Sequence, residues 1–139
     1  RMTSQLNVDT IVDKAGSGGT NVKVANTSTY VSDGGNVTQN TVQGLAKALC
    51  YANADTSLRD SLNISGGVDN GTGDYTYSFT NNMSNVNYTC VVSTNYASLV
   101  TWDSAEHGTA SFNIRSFTRA DSLTASDNPQ ATTIHGDLA

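Results

Sequence analysis

The stretch Gly66–Asp74, Gly-Gly-Val-Asp-Asn-Gly-Thr-Gly-Asp, constrains this chain more than any other. Gly, Asn and Asp accept the left-handed backbone that tight hairpins demand, so the run predicts a hairpin turn. On one side lies Leu62-Asn63-Ile64. On the other, Tyr75-Thr76-Tyr77-Ser78-Phe79 alternates large aromatic with small polar residues. A period of two is that of a half-buried strand, which puts Tyr75, Tyr77 and Phe79 on one face against a second layer.

The rest of the second part of the chain follows the same grammar. Lys47–Asn53 alternates, with Lys47, Leu49 and Tyr51 on one face and Ala46, Ala48, Cys50 and Ala52 on the other. The Ala-rich Leu45–Ala54 also has helix-forming composition, but the strand reading is preferred. Asn81–Asn87 reads as a loop with Met83 packed inward. Tyr88–Thr94, Leu99–Trp102 and Ala110–Phe117 read as strands, with Tyr88, Cys90 and Val92 on one face. Thr118–Gln130 is a long polar connection holding the single proline, and Ala131–His135 is the closing strand. Short strands at regular spacing, with no capped helix pattern, predict an antiparallel β-sandwich over 44–139.

Residues 1–43 are different. Leu6–Asp13, Asn21–Val24, Ser28–Ser32 and Val37–Val42 are extended candidates, and Asp33-Gly34-Gly35-Asn36 is a turn. Tyr30 is the one large aromatic there. So little apolar surface cannot offset the conformational entropy of ordering the segment by itself. Either it lies against the following domain, or identical chains complete its interior. Arg1-Met2-Thr3-Ser4 does not read as a native start, which suggests the trimmed end of a longer protein.

Composition excludes several functions. The net charge is -5, with seven Lys and Arg scattered along the chain, so the clustered cations that hold nucleic-acid phosphates are missing. No apolar run approaches the roughly 20 residues of a membrane helix, and no signal-peptide pattern opens the chain. The abundant β-branched and aromatic residues argue against disorder. The Asn-x-Ser/Thr triplets at Asn26, Asn36, Asn63, Asn70, Asn82 and Asn87 follow from a composition rich in Asn and Thr.

Catalytic motifs are missing too. There is no Gly-x-Ser-x-Gly elbow, no phosphate loop before a helix and no His-Glu-x-x-His. Neither an enzyme nor a cofactor is expected. Asp69, Asn70, Thr72 and Asp74 imitate part of a calcium loop, but the spacing and distal Glu of an EF-hand are lacking, and a hairpin turn accounts for them. No metal site is expected. Arg59-Asp60 reads as a structural ion pair or a set of backbone hydrogen bonds at a strand edge. His135 reads as a structural histidine. Glu106-His107 beside Asp103 is the acid–imidazole cluster, read as a solvated loop rather than an acid/base pair.

The irregular stretch Asn95–Thr109 is the expected recognition surface, through Tyr96, Trp102, Asp103, Glu106 and His107. Aromatic faces stack on sugar rings, and carboxylates accept hydrogen bonds from sugar hydroxyls. The competing reading buries Trp102 in the core, because Leu99–Trp102 can be a strand. Arg119–Gln130 is a second candidate loop.

One resemblance adds to this. Gly-Leu-Ala-Lys-Ala (44–48), Leu-Arg-Asp-Ser-Leu-Asn-Ile-Ser (58–65) and Asp-Asn-Gly-Thr-Gly-Asp-Tyr-Thr (69–76) resemble a module near the C-terminus of tail-fibre proteins of short-tailed, often marine, bacteriophages. The likeness continues through Asn87–Val92, Phe112–Arg115 and Gly136-Asp137. It departs at Leu49-Cys50, where the family has Trp-Val or a similar pair. It implies a homotrimer with a β-rich stalk over 1–43 and a β-sandwich knob over 44–139. It further implies a virion protein assembled in host cytoplasm and joined to other tail proteins on its N-terminal side. The implied role is attachment to a host surface glycan or outer-membrane component. A structural fibre, decoration or connector protein is the alternative, with a carbohydrate-binding module or a depolymerase as more distant rivals. Cys50 and Cys90 sit in expected strands; a disulfide can be drawn between them, but assembly in reducing cytosol favours free thiols.

Overall fold

The structure, a computed structural model, describes residues 29–31, 38–41, 44–94, 98–103, 106–118 and 123–138. The chain divides into two compact units, Arg1–Val42 and Gln43–Ala139. In the first, β1 (Thr29–Val31) pairs antiparallel with β2 (Thr38–Asn40), with Tyr30 opposite Gln39. These strands fall within the expected extended pieces Ser28–Ser32 and Val37–Val42. Leu6–Asp13, Asn21–Val24 and the Asp33–Asn36 turn lie outside the described residues.

The second unit is all-β and antiparallel among its described residues. Its strands are β3 (Ala48–Ala52), β4 (Leu58–Leu62), β5 (Ile64–Gly71), β6 (Asp74–Phe79), β7 (Thr89–Ser93), β8 (Ser98–Asp103), β9 (Ser111–Thr118), β10 (Thr124–Ala125) and β11 (Gln130–His135). One sheet runs β4-β3-β11-β7. The other runs β5-β6-β9, with β8 on the free side of β9 and β10 pairing the far end of β9 beyond β6.

Alternation decides which side chains go inward. Ala48, Cys50, Ala52, Cys90 and Ile134 come from the first sheet, and Tyr75, Tyr77, Phe79, Phe112 and Ile114 from the second. Together with Met83 and Tyr88 they form one buried cluster. Leu45–Ala54 is therefore a strand despite its helix-forming residues. Only a period of two sends Ala48, Cys50 and Ala52 to the same side.

The hairpin is present, but its turn is shorter than expected. Gly66–Asn70 belong to β5, and the chain reverses only at Gly71–Asp74. Gly67 is needed for packing rather than turning: a Cβ there would stand 2.7 Å from Tyr77 Cε1. Leu62-Asn63-Ile64 is likewise not one strand. Asn63 adopts φ 58°, ending β4 in the first sheet and starting β5 in the second. Its side chain fixes the crossing, since Oδ1 accepts from Asn81 N (2.7 Å) and Nδ2 donates to Asn81 O (3.0 Å).

Arg59-Asp60 lies on the edge strand β4, where Asp60 pairs with Tyr51 of β3, and Arg59 forms no ion pair among the described residues. It donates to Asn53 Oδ1 and Tyr51 OH and lies over the Tyr51 ring. In the connection Thr118–Gln130, two of the described residues are tied into the interior. Asn128 is buried and donates to Ser116 Oγ (2.9 Å). Gln130 is buried too, accepts from Tyr77 OH (2.9 Å) and donates to Asn128 O (2.8 Å).

Both cysteines are free and buried. They stand on β3 and β7 with β11 between those strands, opposite Thr132 and Ile134. Burial pushes each thiol up to about 12. Since the thiolate is the reactive form, Ellman's reagent at about pH 8 is expected to leave both untouched in the folded protein and to titrate both in guanidinium chloride. Rapid labelling without denaturant would contradict this packing.

Candidate functional site

Strand β9 is the spine of the candidate site. Phe112, Ile114 and Ser116 face the core, so Ser111, Asn113 and Arg115 face the opposite way. Register then brings partners to that outer face: Asp74 and Thr76 on β6, Thr101 and Asp103 on β8. Arg115 is surrounded by carboxylates, with Nη1 2.7 Å from Asp74, Nε 3.4 Å from Asp103 and Nη2 3.8 Å from Glu106. Three carboxylates around one guanidinium leave an excess of two negative charges. The groups are partly exposed, so the pairs stabilise the fold little and mainly set the charge of the face.

Below Arg115, Asn113 is wholly buried. Its Nδ2 donates to Asp74 Oδ1 (2.8 Å) and Thr76 Oγ1 (3.3 Å), and Asn70 Nδ2 donates to the same two oxygens at 3.3 and 2.8 Å. Asn113 Oδ1 has no hydrogen-bond partner among the described residues. The face is rich in acceptors.

The other side of β8 carries an aromatic ladder. Tyr88 is buried and packs edge-on against Phe79 (5.7 Å between centroids), while its hydroxyl donates to Gly108 O (2.7 Å) and Ser111 O (3.1 Å). His107 lies 3.8 Å from Tyr88, and Trp102 lies 4.8 Å from His107. Neither His107 nitrogen is hydrogen-bonded among the described residues. Desolvation lowers the imidazole's pKa, opposed in part by the Tyr88 backbone, so the neutral ring is favoured. Trp102 ends the ladder at 38% exposure and is not a core residue. Its register partner is Ile114, but β8 is a sheet edge with no further strand beside it among the described residues.

Of the five residues expected from sequence, Tyr96 lies outside the described residues. Trp102 and His107 pack against each other with their rings tilted, and Asp103 and Glu106 meet at Arg115. Within Asn95–Thr109 the expected strand Leu99–Trp102 is present and one residue longer at each end, as β8 (Ser98–Asp103). Arg115, Asp74, Asn113 and Tyr88 were missed as site residues; the signal for the first three was the polar half of the alternation in β6 and β9. In the second candidate loop, residues 119–122 lie outside the described residues, and the buried Asn128 and Gln130 belong to the packed interior.

No family model, curated protein or solved structure matches the chain. Among the described residues no group of His, Cys, Asp and Glu could hold a metal ion. The oxygens of the calcium-like run serve the hairpin instead: Asp69 Oδ1 accepts from Gly71 N (2.9 Å), and Asp74 is bonded to Asn70, Asn113 and Arg115. His135 sits half-buried in β11 opposite Thr89. An exposed aromatic on one face of β8 and a bank of acceptors on the other are each suited to holding a hydroxylated ligand without a covalent step.

Proposed function

We propose that the chain is the C-terminal part of a trimeric bacteriophage tail fibre, a β-sandwich knob behind a stalk, that attaches to a glycan on the bacterial surface. The observation that carries this reading is Trp102. It is an exposed indole at the end of a ladder anchored to the core through Tyr88, on the face of β8 opposite the acceptors around Arg115. A sugar ring stacks on such a face, and its hydroxyls donate to carboxylates. Three weak sites on one tip give lasting attachment through avidity. The resemblance over Arg59–Thr76 supplies the fibre context, and the N-terminal side would join other tail proteins in the virion.

Trimerisation has separate support. The outer face of the first sheet carries Leu62, Leu49, Thr133 and Val91 side by side across its strands, with Leu62 at 55% and Val91 at 65% exposure. An apolar row of this kind is suited to contact with a neighbouring copy. The same row favours a second reading, a structural fibre or connector that touches no host molecule. Sedimentation equilibrium and adsorption competition separate these. The proposal expects a trimer mass and a protein that blocks phage attachment, with blocking lost in Trp102→Ala. A trimer that neither binds cells nor competes would favour the structural reading. A monomer at micromolar concentration would overturn the fibre.

A further inference from the structure

The aromatic ladder has a titratable rung. His107 is its middle ring, 3.8 Å from Tyr88 and 4.8 Å from Trp102 between centroids. Among the described residues it is the one ring that Trp102 packs against. Both imidazole nitrogens are buried without a hydrogen-bond partner among the described residues. A neutral imidazole in that place leaves one N–H and one lone pair unmet. An imidazolium leaves two N–H groups unmet and a charge out of water. Aromatic faces attract a cation, but they supply no acceptor for its N–H groups, so the protonated ring is the costlier occupant. In keeping with this, desolvation holds the pKa of His107 below the ordinary imidazole range, and the Tyr88 backbone offsets only part of the effect.

The groups around the ring leave it as the one that changes charge. From β7 and its lead-in come the Tyr88 hydroxyl and the Cys90 thiol, which burial pushes up, so both keep their protons at neutral and mildly acidic pH. From β8 comes Asp103, and from the turn before β9 comes Glu106; both carboxylates meet Arg115, whose side chain is on the face of β8 away from the ladder. The way out for the ring is short. His107 is only half-buried as a residue and follows the exposed Glu106, so turning its side chain to water needs no strand to part. We propose that His107 is an acid-sensitive latch on Trp102: on taking up a proton the imidazole leaves its place beside Tyr88, and the indole loses its support. The unlatched ring has the ordinary affinity for protons and the latched ring a lower one. The latch is therefore full above about pH 6.5 and weakens below it, the latched-to-unlatched ratio falling by up to about tenfold per pH unit. This stands on the ladder alone and holds whether or not a sugar is the ligand.

The test follows Trp102 emission and the His107 Cε1 proton resonance of the full chain from about pH 8 to about pH 5. The emission maximum is expected to stay constant down to about pH 6.5 and then to move reversibly to the red, in step with His107, while the far-UV circular dichroism holds. His107→Phe keeps a ring in the ladder but takes up no proton, and should show no such shift. His135→Gln and Glu106→Gln should both retain it. A His107 midpoint above that of a free imidazole overturns the latch, and this is read on the parent even if a variant misfolds. Emission that stays flat while His107 titrates overturns it too, as does the same red shift in His107→Phe. Loss of the shift in Glu106→Gln would give the response to the carboxylate and overturn it as well.

Discussion

Gly73→Ala is expected to destabilise the second unit by about 2–5 kcal/mol, from a strained left-handed residue and an overpacked contact together. Gly73 has φ 69°, and an added Cβ would stand 2.3 Å from Ser116 O and 2.9 Å from Ser126 N. Both are backbone atoms held in place. Ser116 N donates to Gly73 O (2.8 Å), Ser126 N donates to Ser116 O (3.1 Å), and Gly73 N donates to Asp127 Oδ1 (2.7 Å). The methyl group can be accommodated only by parting β6 from the end of β9 and from the segment after β10. For a unit of this size the loss corresponds to a fall in Tm on the order of 10–20 °C, read by circular dichroism. Two neighbours serve as controls. Gly66 has nothing within 4 Å of the added atom, so Gly66→Ala should stay within about 0.5 kcal/mol. Gly71 is equally open but has φ 134°, so Gly71→Ala should fall between the two. A Gly73→Ala protein melting within a few degrees of its parent would show that this junction yields.

The same junction shows where sequence reasoning stops. Alternation in Tyr75–Phe79 and Ala48–Ala52 was legible because each strand carries its own record of which face is buried. Glycine carries no such record. Gly67 and Gly73 look alike in the sequence, yet one lies under a tyrosine ring in a strand and the other makes the reversal. What separates them is Tyr77 and Ser116, supplied by other strands. Asn128 and Gln130 looked like loop residues because their partners Ser116 and Tyr77 are remote in the chain, and no local period registers a hydrogen bond of that span. The site divides the same way. Trp102, Asp103, Glu106 and His107 are near neighbours in sequence and could be grouped by eye. Asp74, Asn113 and Arg115 join them only once the register of β6, β9 and β8 is known. The exposure of Trp102 was undecidable from Leu99-Val100-Thr101-Trp102, which puts apolar residues on both faces. It follows from β8 being an edge strand.

Phe112→Ala is expected to cost about 3–5 kcal/mol, which lowers Tm by at least about 12 °C, and yet to leave the aromatic ladder in place. Phe112 is fully buried, with its ring centroid 5.6 Å from Tyr77 and 5.4 Å from Phe79. Backbone on both sheets limits how far the cavity can collapse. Phe79 is the link from this cavity to the site, because Tyr88 rests edge-on against it. Tyr88 is held independently at its other end by its hydroxyl proton, shared between the carbonyls of Gly108 (2.7 Å) and Ser111 (3.1 Å), a contact worth about 1 kcal/mol. That contact fixes the ring on which His107 packs, and His107 in turn supports Trp102. The chain has one tryptophan, so its fluorescence reports on this ladder alone. Below its melting transition, Phe112→Ala should keep the parent's emission maximum, whereas Tyr88→Phe, which loses this shared hydrogen bond but little core volume, should shift it to the red. An emission shift in Phe112→Ala at a temperature where it is fully folded would mean that the ladder leans on the core ring rather than on the Tyr88 hydroxyl.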